Sequence, residues 1–187
     1  RPSVQADEGS EPSPAAVQAL LPMPGPDGTT PALDLDDVID QPVAKRALEI
    51  CAAGDHHLLM IGPPGTGKSM LAERLRGILP SLSPAQALDQ AMIASLRRLP
   101  VRCIDLRPPY RSPHHSTSAV GLIGGGQPPA PGEVSLAHRG ILFLDELPEF
   151  RRQALEALRE PLETGEVTVT RGPFQQRFPA AFVLVAA

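Results

Sequence analysis

The stretch Gly62-Pro63-Pro64-Gly65-Thr66-Gly67-Lys68-Ser69 gathers the residue types that a chain of phosphates needs around it. Two glycines separated by four residues, then a lysine and a hydroxyl residue, form a phosphate-binding loop pattern matched at every fixed position. Phosphates are met by a ring of backbone N–H donors, and Gly65 and Gly67 keep that backbone free of side chains. Lys68 supplies a point charge for the β and γ phosphates, and Ser69 a hydroxyl for Mg²⁺. The run from Met70 to Leu79 predicts a helix whose N-terminal dipole faces the anion. The chain has only two lysines, Lys45 and Lys68, which makes a chance match rare. The cofactors expected from these residues are ATP and Mg²⁺.

A second group of the right chemistry follows the apolar run Ile141-Leu-Phe-Leu144, where Asp145 and Glu146 stand side by side. Phosphoryl transfer to water requires charge neutralisation and a positioned nucleophile more than covalent chemistry. Asp145 suits a magnesium ligand acting through water, and Glu146 suits the group that orients and deprotonates the attacking water. Alone, an apolar run ending in Asp-Glu is as often a strand cap facing solvent. With the phosphate loop in the same chain, the catalytic reading is favoured. The site expected is therefore Glu146 and Lys68 as catalytic groups, residues 62–69 around the nucleotide, and Ser69 and Asp145 on the metal.

Elements that hold these groups are legible from periodicity and punctuation. Val43, Ala44, Leu48, Ile50 and Cys51 mark the apolar face of a helix, with Asp40 or Gln41 as N-cap, Pro42 in its first turn and Gly54 at its stop. His57 to Ile61 reads as a short buried strand feeding the loop. Ser83 and Pro84 start a helix running to about Arg98, with Leu88, Ala91, Met92 and Leu96 inward. The glycines and prolines of Arg107 to His115 and of Gly124 to Gly132 imply an inserted loop. Glu133 to His138 resumes as a short helix ended by Gly140, and Ile141–Leu144 is the strongest strand signal. Arg152 to Glu163 reads as one helix with Ala154, Leu155, Leu158 and Leu162 on a face. Glu166 to Thr170 and Gln175 to Phe178 form a hairpin about the turn 171–174, and Ala181 to Ala186 is a last strand. Strands alternating with helices, and apolar on both faces, predict an α/β fold: a parallel sheet between helical layers, with ligands at the C-terminal strand ends.

Composition limits the alternatives. With 187 residues, 42% of them hydrophobic, one domain-sized core is expected. Residues 1–31 are rich in Pro, Gly, Ser and acids and read as a disordered or extended linker, leaving 32–187 as the folded unit. Residues 1–40 carry eight acids and one arginine, whereas 41–187 carry thirteen acids and sixteen bases, so the folded part is mildly basic. That balance permits nucleic acid as a partner without demanding it. Cys51 and Cys103 are solitary, which disfavours a disulfide framework or zinc site and makes a reducing cytoplasm the default. No run is long enough to cross a bilayer. Arg1 and the strand ending at Ala187 suggest a fragment of a longer protein.

The phosphate loop, the Ile141–Glu146 strand and the later hairpin resemble an AAA+ ATPase, and Ala137-His-Arg-Gly-Ile-Leu-Phe-Leu-Asp-Glu146 is similar to the magnesium-chelatase branch. Arg107-Pro-Pro-Tyr-Arg-Ser-Pro-His-His115, Pro131-Gly-Glu-Val-Ser-Leu-Ala-His138, Leu147-Pro-Glu-Phe150 and Leu155-Glu-Ala-Leu-Arg-Glu-Pro-Leu162 resemble the ComM (YifB) family. This resemblance covers about residues 33–187. It implies an ATP-driven hexameric ring that encircles DNA and promotes branch migration in recombination or transformation. It also implies that the polar sensor, arginine finger and helical lid lie beyond Ala187, so weak ATP binding and poor turnover are expected of the isolated chain. Asp40 stands before Gln41 where AAA+ proteins commonly carry glycine.

Within that frame Arg171 and Phe174 at the hairpin tip, with the 124–132 loop, are candidates for pore contacts, Arg meeting phosphates and Phe a base or sugar. A solvent-exposed turn is the alternative. Arg151 and Arg152 oppose the dipole of the helix they start, and read as a solvated face rather than a contact with an acidic or nucleotide partner on a neighbouring subunit. His114 and His115 suggest either a loop pair or a metal site, and adjacent side chains in an extended segment point apart. A second function compatible with the motifs is a chelatase-type ATPase acting through a protein partner. A third is a nucleotide-gated scaffold without hydrolysis, against which Glu146 argues.

Overall fold

The structure is a computed structural model and describes residues 34–99, 104–171 and 173–187. The linker expected over 1–31, the start of structure near Leu33 and Cys103 lie outside the described residues. A 3₁₀ turn over Leu35–Asp37, capped by Asp34, leads into α1 (Pro42–Gly54). Then come β1 (Leu58–Leu59), α2 (Lys68–Ile78), α3 (Pro84–Leu96), β2 (Tyr110–Arg111) and α4 (Ala119–Ile123). The chain continues with β3 (Gly124–Gly125), β4 (Ala130–Pro131), α5 (Glu133–Leu136), β5 (Ile141–Leu144), α6 (Arg152–Glu156) and α7 (Arg159–Thr164). It closes with β6 (Glu166–Arg171), β7 (Phe174–Pro179) and β8 (Val183–Ala186).

The expected parallel sheet is present, with strand order β1-β8-β5-β2 and every neighbour parallel. β5 lies inside it and is buried at all four residues, which is why its sequence is an uninterrupted apolar run. Its side chains alternate between two cores. Ile141 and Phe143 pack with Leu48, Leu71 and Leu75 of α1 and α2. Leu142 and Leu144 pack on the other face with Phe150, Leu158, Val167 and Phe178. Sheet and two flanking layers make the three-layer α/β architecture.

Several local expectations are corrected. The strand expected over His57–Ile61 is two residues long and sits at the sheet edge, with Leu59 and Ile61 exposed rather than buried. On α3, Met92 and Leu96 are exposed, while Ala87 and Ile93 are buried. α3 carries Ala87 into a small satellite core around Leu82 and Ile104, joined by Leu88 and Ala91, so only a narrow strip of it is covered. The segment expected as a loop over 107–115 contributes β2, held by Arg76, whose Nε donates to Pro108 O at 2.6 Å, and by the Arg111 fork on Glu133 of α5 at 2.7 Å. The 124–132 loop pairs with itself as β3 and β4.

The helix expected from Arg152 to Glu163 is split into α6 and α7. Pro161 has no N–H for the carbonyl of Ala157, and its ring crowds that carbonyl, so the chain tightens there, with Leu158 N–H bonding Leu155 O. Gly165, at φ +71°, ends α7 as expected. At α1 the left-handed stop is Asp55 rather than Gly54, and Gln41 caps without a side-chain bond. Asp40 and Gln41 both have φ near +60°, which explains why glycine suits position 40 and why Asp, tolerant of that region, can replace it. The hairpin is as expected, with one residue more in β6 and one more at each end of β7, and with Arg171 opposite Phe174; Gly172 lies outside the described residues.

Candidate functional site

The loop after β1 and the end of β5 meet because both strands run the same way in one sheet, each beside β8. Gly62 follows the C-terminal end of β1, and Asp145 and Glu146 follow that of β5. Gly65 and Gly67 take φ of +81° and +82°, a region that a side chain disfavours. A Cβ on Gly65 would meet nothing within 4 Å, so the loop curls around open space. Gly67 caps α2, and the first N–H groups of this 11-residue helix face the same space.

Side chains complete the cradle. Thr66 Oγ1 donates to Pro63 O at 2.9 Å and pins the loop, and Gln41 Nε2 reaches Thr66 O at 3.4 Å. Lys68 Nζ donates to the carbonyls of Gly62 and Pro63 at 2.8 and 3.0 Å. Among the described residues no carboxylate lies within ion-pair distance of it, so its charge is uncompensated. Ser69 Oγ donates to Asp145 Oδ2 at 2.8 Å, joining residues 76 apart in sequence. The other oxygen of Asp145 accepts the Glu146 N–H at 3.0 Å. Glu146 itself sits at φ +55°, and its carboxylate, 69% exposed, has His115 Nδ1 3.6 Å away.

Gly62, Gly65, Gly67, Lys68, Ser69, Asp145 and Glu146 all line one cavity of about 880 Å³. The loop expected at one end of the site and the carboxylates expected at the other are therefore brought together. Pro63 and Thr66 face a neighbouring groove of about 540 Å³, whose walls include Val43, Ala44, Leu58 and Ile61. The donor set fits the groups implied by the sequence. Glycines leave a bare cradle for phosphates, an unpaired ammonium stands beside it, and a hydroxyl with a carboxylate offers the hard oxygens that Mg²⁺ takes. Tyr110 lies beneath, stacked on Phe143 at 6.2 Å; burial, then Glu73 and Asp145, push its phenol well above the ordinary range.

His114 and His115 are placed differently from the extended pair expected. A turn closed by Thr117 N–H on His114 O brings their rings edge to face, 4.0 Å apart. Sequence reasoning missed the approach of His115 to Glu146 and the apolar groove beside the loop. The first was available only from strand register, and the second from apolar positions on α1 read as core. Arg171 and Phe174 lie outside the cavity, at the exposed hairpin tip.

The family model described as "Magnesium chelatase, subunit ChlI" matches residues 34–187. YifB of Salmonella typhimurium, an uncharacterized protein, is 57% identical over 84% of this chain and 31% of its own length. Competence protein ComM of Haemophilus influenzae is 54% identical over 83% of this chain and 31% of its own length. The magnesium-chelatase 38 kDa subunit of Rhodobacter capsulatus is 28% identical over 92% of this chain and 54% of its own length. The chain thus spans about a third of the length of YifB and ComM. Among solved structures, NtrX from Brucella abortus in complex with ADP shares the fold, with a TM-score of 0.54 at 17% identity, over 80% of this chain and 30% of that one. The chain belongs to the magnesium chelatase subunit ChlI family and is similar to YifB and ComM.

Proposed function

We propose that this chain is the ATP-binding and hydrolysing core of a ring-forming motor that acts on DNA. The observation that carries the ATPase half is the convergence of Lys68, Ser69, Asp145 and Glu146 on one cavity, with Ser69 Oγ 2.8 Å from Asp145. The amides of residues 65–69 donate to phosphate oxygens, and Lys68 exchanges its bonds to the Gly62 and Pro63 carbonyls for bonds to phosphate. Ser69 and Asp145 would hold Mg²⁺, which would supply charge neutralisation at the terminal phosphates. Glu146 orients the attacking water and takes its proton at the carboxylate. The groove lined by Val43, Ala44 and Leu58 suits the flat apolar face of a base.

Support for DNA comes from the similarity to a competence protein and from the hairpin. There Arg171 and exposed Phe174 face each other at the last ladder position, beside the β3–β4 turn. In a hexameric ring these side chains meet phosphate and base in the pore. The test is the ATPase rate of the longer protein with and without branched DNA. DNA stimulates the wild type, and Arg171→Ala loses that stimulation while lowering the salt slope of DNA binding by about one. Unchanged stimulation and unwinding in Arg171→Ala would remove the pore contact. The similarity to a magnesium-chelatase subunit supports a second reading, an ATPase driving metal insertion through a protein partner. An ATPase indifferent to DNA would favour it.

A further inference from the structure

We propose that His115 is the positioning residue for Glu146, donating from Nδ1 to hold the carboxylate in the orientation that water activation requires. This rests on the reading of Glu146 as the base. Strand pairing brings the segments that carry the two residues side by side. In the parallel pair β2–β5, Arg111 stands beside Leu142, and His115 and Glu146 each lie four residues further on. His115 Nδ1 is shielded from solvent, has no hydrogen-bond partner, and lies 3.6 Å from Glu146 Oε2. That gap is about half an ångström beyond hydrogen-bond range. A buried ring nitrogen left without a partner is a bond waiting to be made.

The ring is held where it can make that bond. His114 packs edge-on against His115 at 4.0 Å. His114 is itself fixed by Ser116, whose Oγ is 2.9 Å from its Nδ1, and by the turn closed at Thr117. Glu146 has the opposite character: its backbone N–H is tied to Asp145, yet its side chain is exposed and among the described residues has no ion-pair neighbour except His115. A base that must face one water needs one oxygen anchored, and the His115 N–H on Oε2 leaves the other free for the proton. Asp145, on the metal side, is fixed by Ser69 and does not need it.

The test is steady-state ATP hydrolysis by the longer protein carrying His115→Phe, His115→Asn, Glu146→Gln, or Phe and Gln together. His115→Phe keeps the ring and its contact with His114 but cannot donate. It lowers kcat about 10- to 100-fold, with KM and ATP-analogue affinity unchanged. His115→Asn, whose amide N–H occupies nearly the place of the Nδ1–H, restores most of the rate. The double variant is no slower than Glu146→Gln alone. Equal rates for His115→Phe and His115→Asn, fast or slow, would overturn the proposal. Wild-type turnover by Glu146→Gln would instead overturn the assignment of the base on which it depends.

Discussion

Lys68 and His138 show how the same physics gives opposite consequences at single residues. Lys68 is half-buried beside bare glycines, bonded to two carbonyls and to no acid. Among the described residues no carboxylate pairs with its charge, so Lys68→Ala leaves the melting temperature nearly unchanged but lowers kcat/KM for Mg·ATP about 100-fold or more, read by coupled phosphate release. His138 is needed by the fold. It is buried, and its Nδ1 accepts the Ala181 N–H at 3.0 Å, which requires that nitrogen to stay unprotonated. Burial, then the nearby Arg139, pulls its pKa below the ordinary histidine value of 6.5. The unfolded chain then binds the extra proton first on acidification. Stability present above pH 6.5 is lost as pH falls from there through the folded-state pKa, with a slope of at most about 1.4 kcal/mol per pH unit. Urea titrations between pH 7.5 and 5.5 read this slope, and His138→Gln flattens it. Residues 62–69, 145 and 146 were legible because each is a local motif. His115 was not, because its tie to Glu146 runs across two strands that are far apart in sequence.

At the scale of elements, the site depends on how closely β2, β5 and β8 are drawn together. Ile141 N–H bonds Pro109 O at 2.8 Å and Val183 N–H bonds Gly140 O at 2.9 Å, so Gly140 is the point where all three strands start. A Cβ there would strike the Pro109 carbonyl and ring, although the backbone of Gly140 is ordinary. Gly140→Ala is therefore expected to cost about 1–3 kcal/mol in urea unfolding and to loosen the register between His115 and Glu146. α2 and β5 were legible because loop punctuation and an apolar run mark them locally. β2 was hidden inside a proline-rich stretch, since its ladder with β5 and its Arg76 and Arg111 contacts all join residues distant in sequence. The α3 face was misread in part: Leu88 and Ala91 do pack against the satellite core, whereas Met92 and Leu96, further along the same helical row, run past it and stay exposed. Pro161 split a helix whose apolar spacing alone looked continuous.

Across the whole molecule, one parallel sheet sets a phosphate loop and a carboxylate pair on the same edge and leaves a hairpin projecting elsewhere. The exposed hairpin tip with Arg171 and Phe174 takes no part in lining the cavity that holds the loop and the carboxylates. The sheet was foreseeable from alternating strands and helices, whereas β1 as an edge strand with exposed Leu59 and Ile61 was not, because its apolar run reads as interior. The most direct test is a crystal structure with a non-hydrolysable ATP analogue and Mg²⁺. It should place the β and γ phosphates on the amides of residues 65–69 and on Lys68, with the metal between Ser69 and Asp145. An analogue bound in another cavity, or a cradle left empty at saturating nucleotide, would contradict the account.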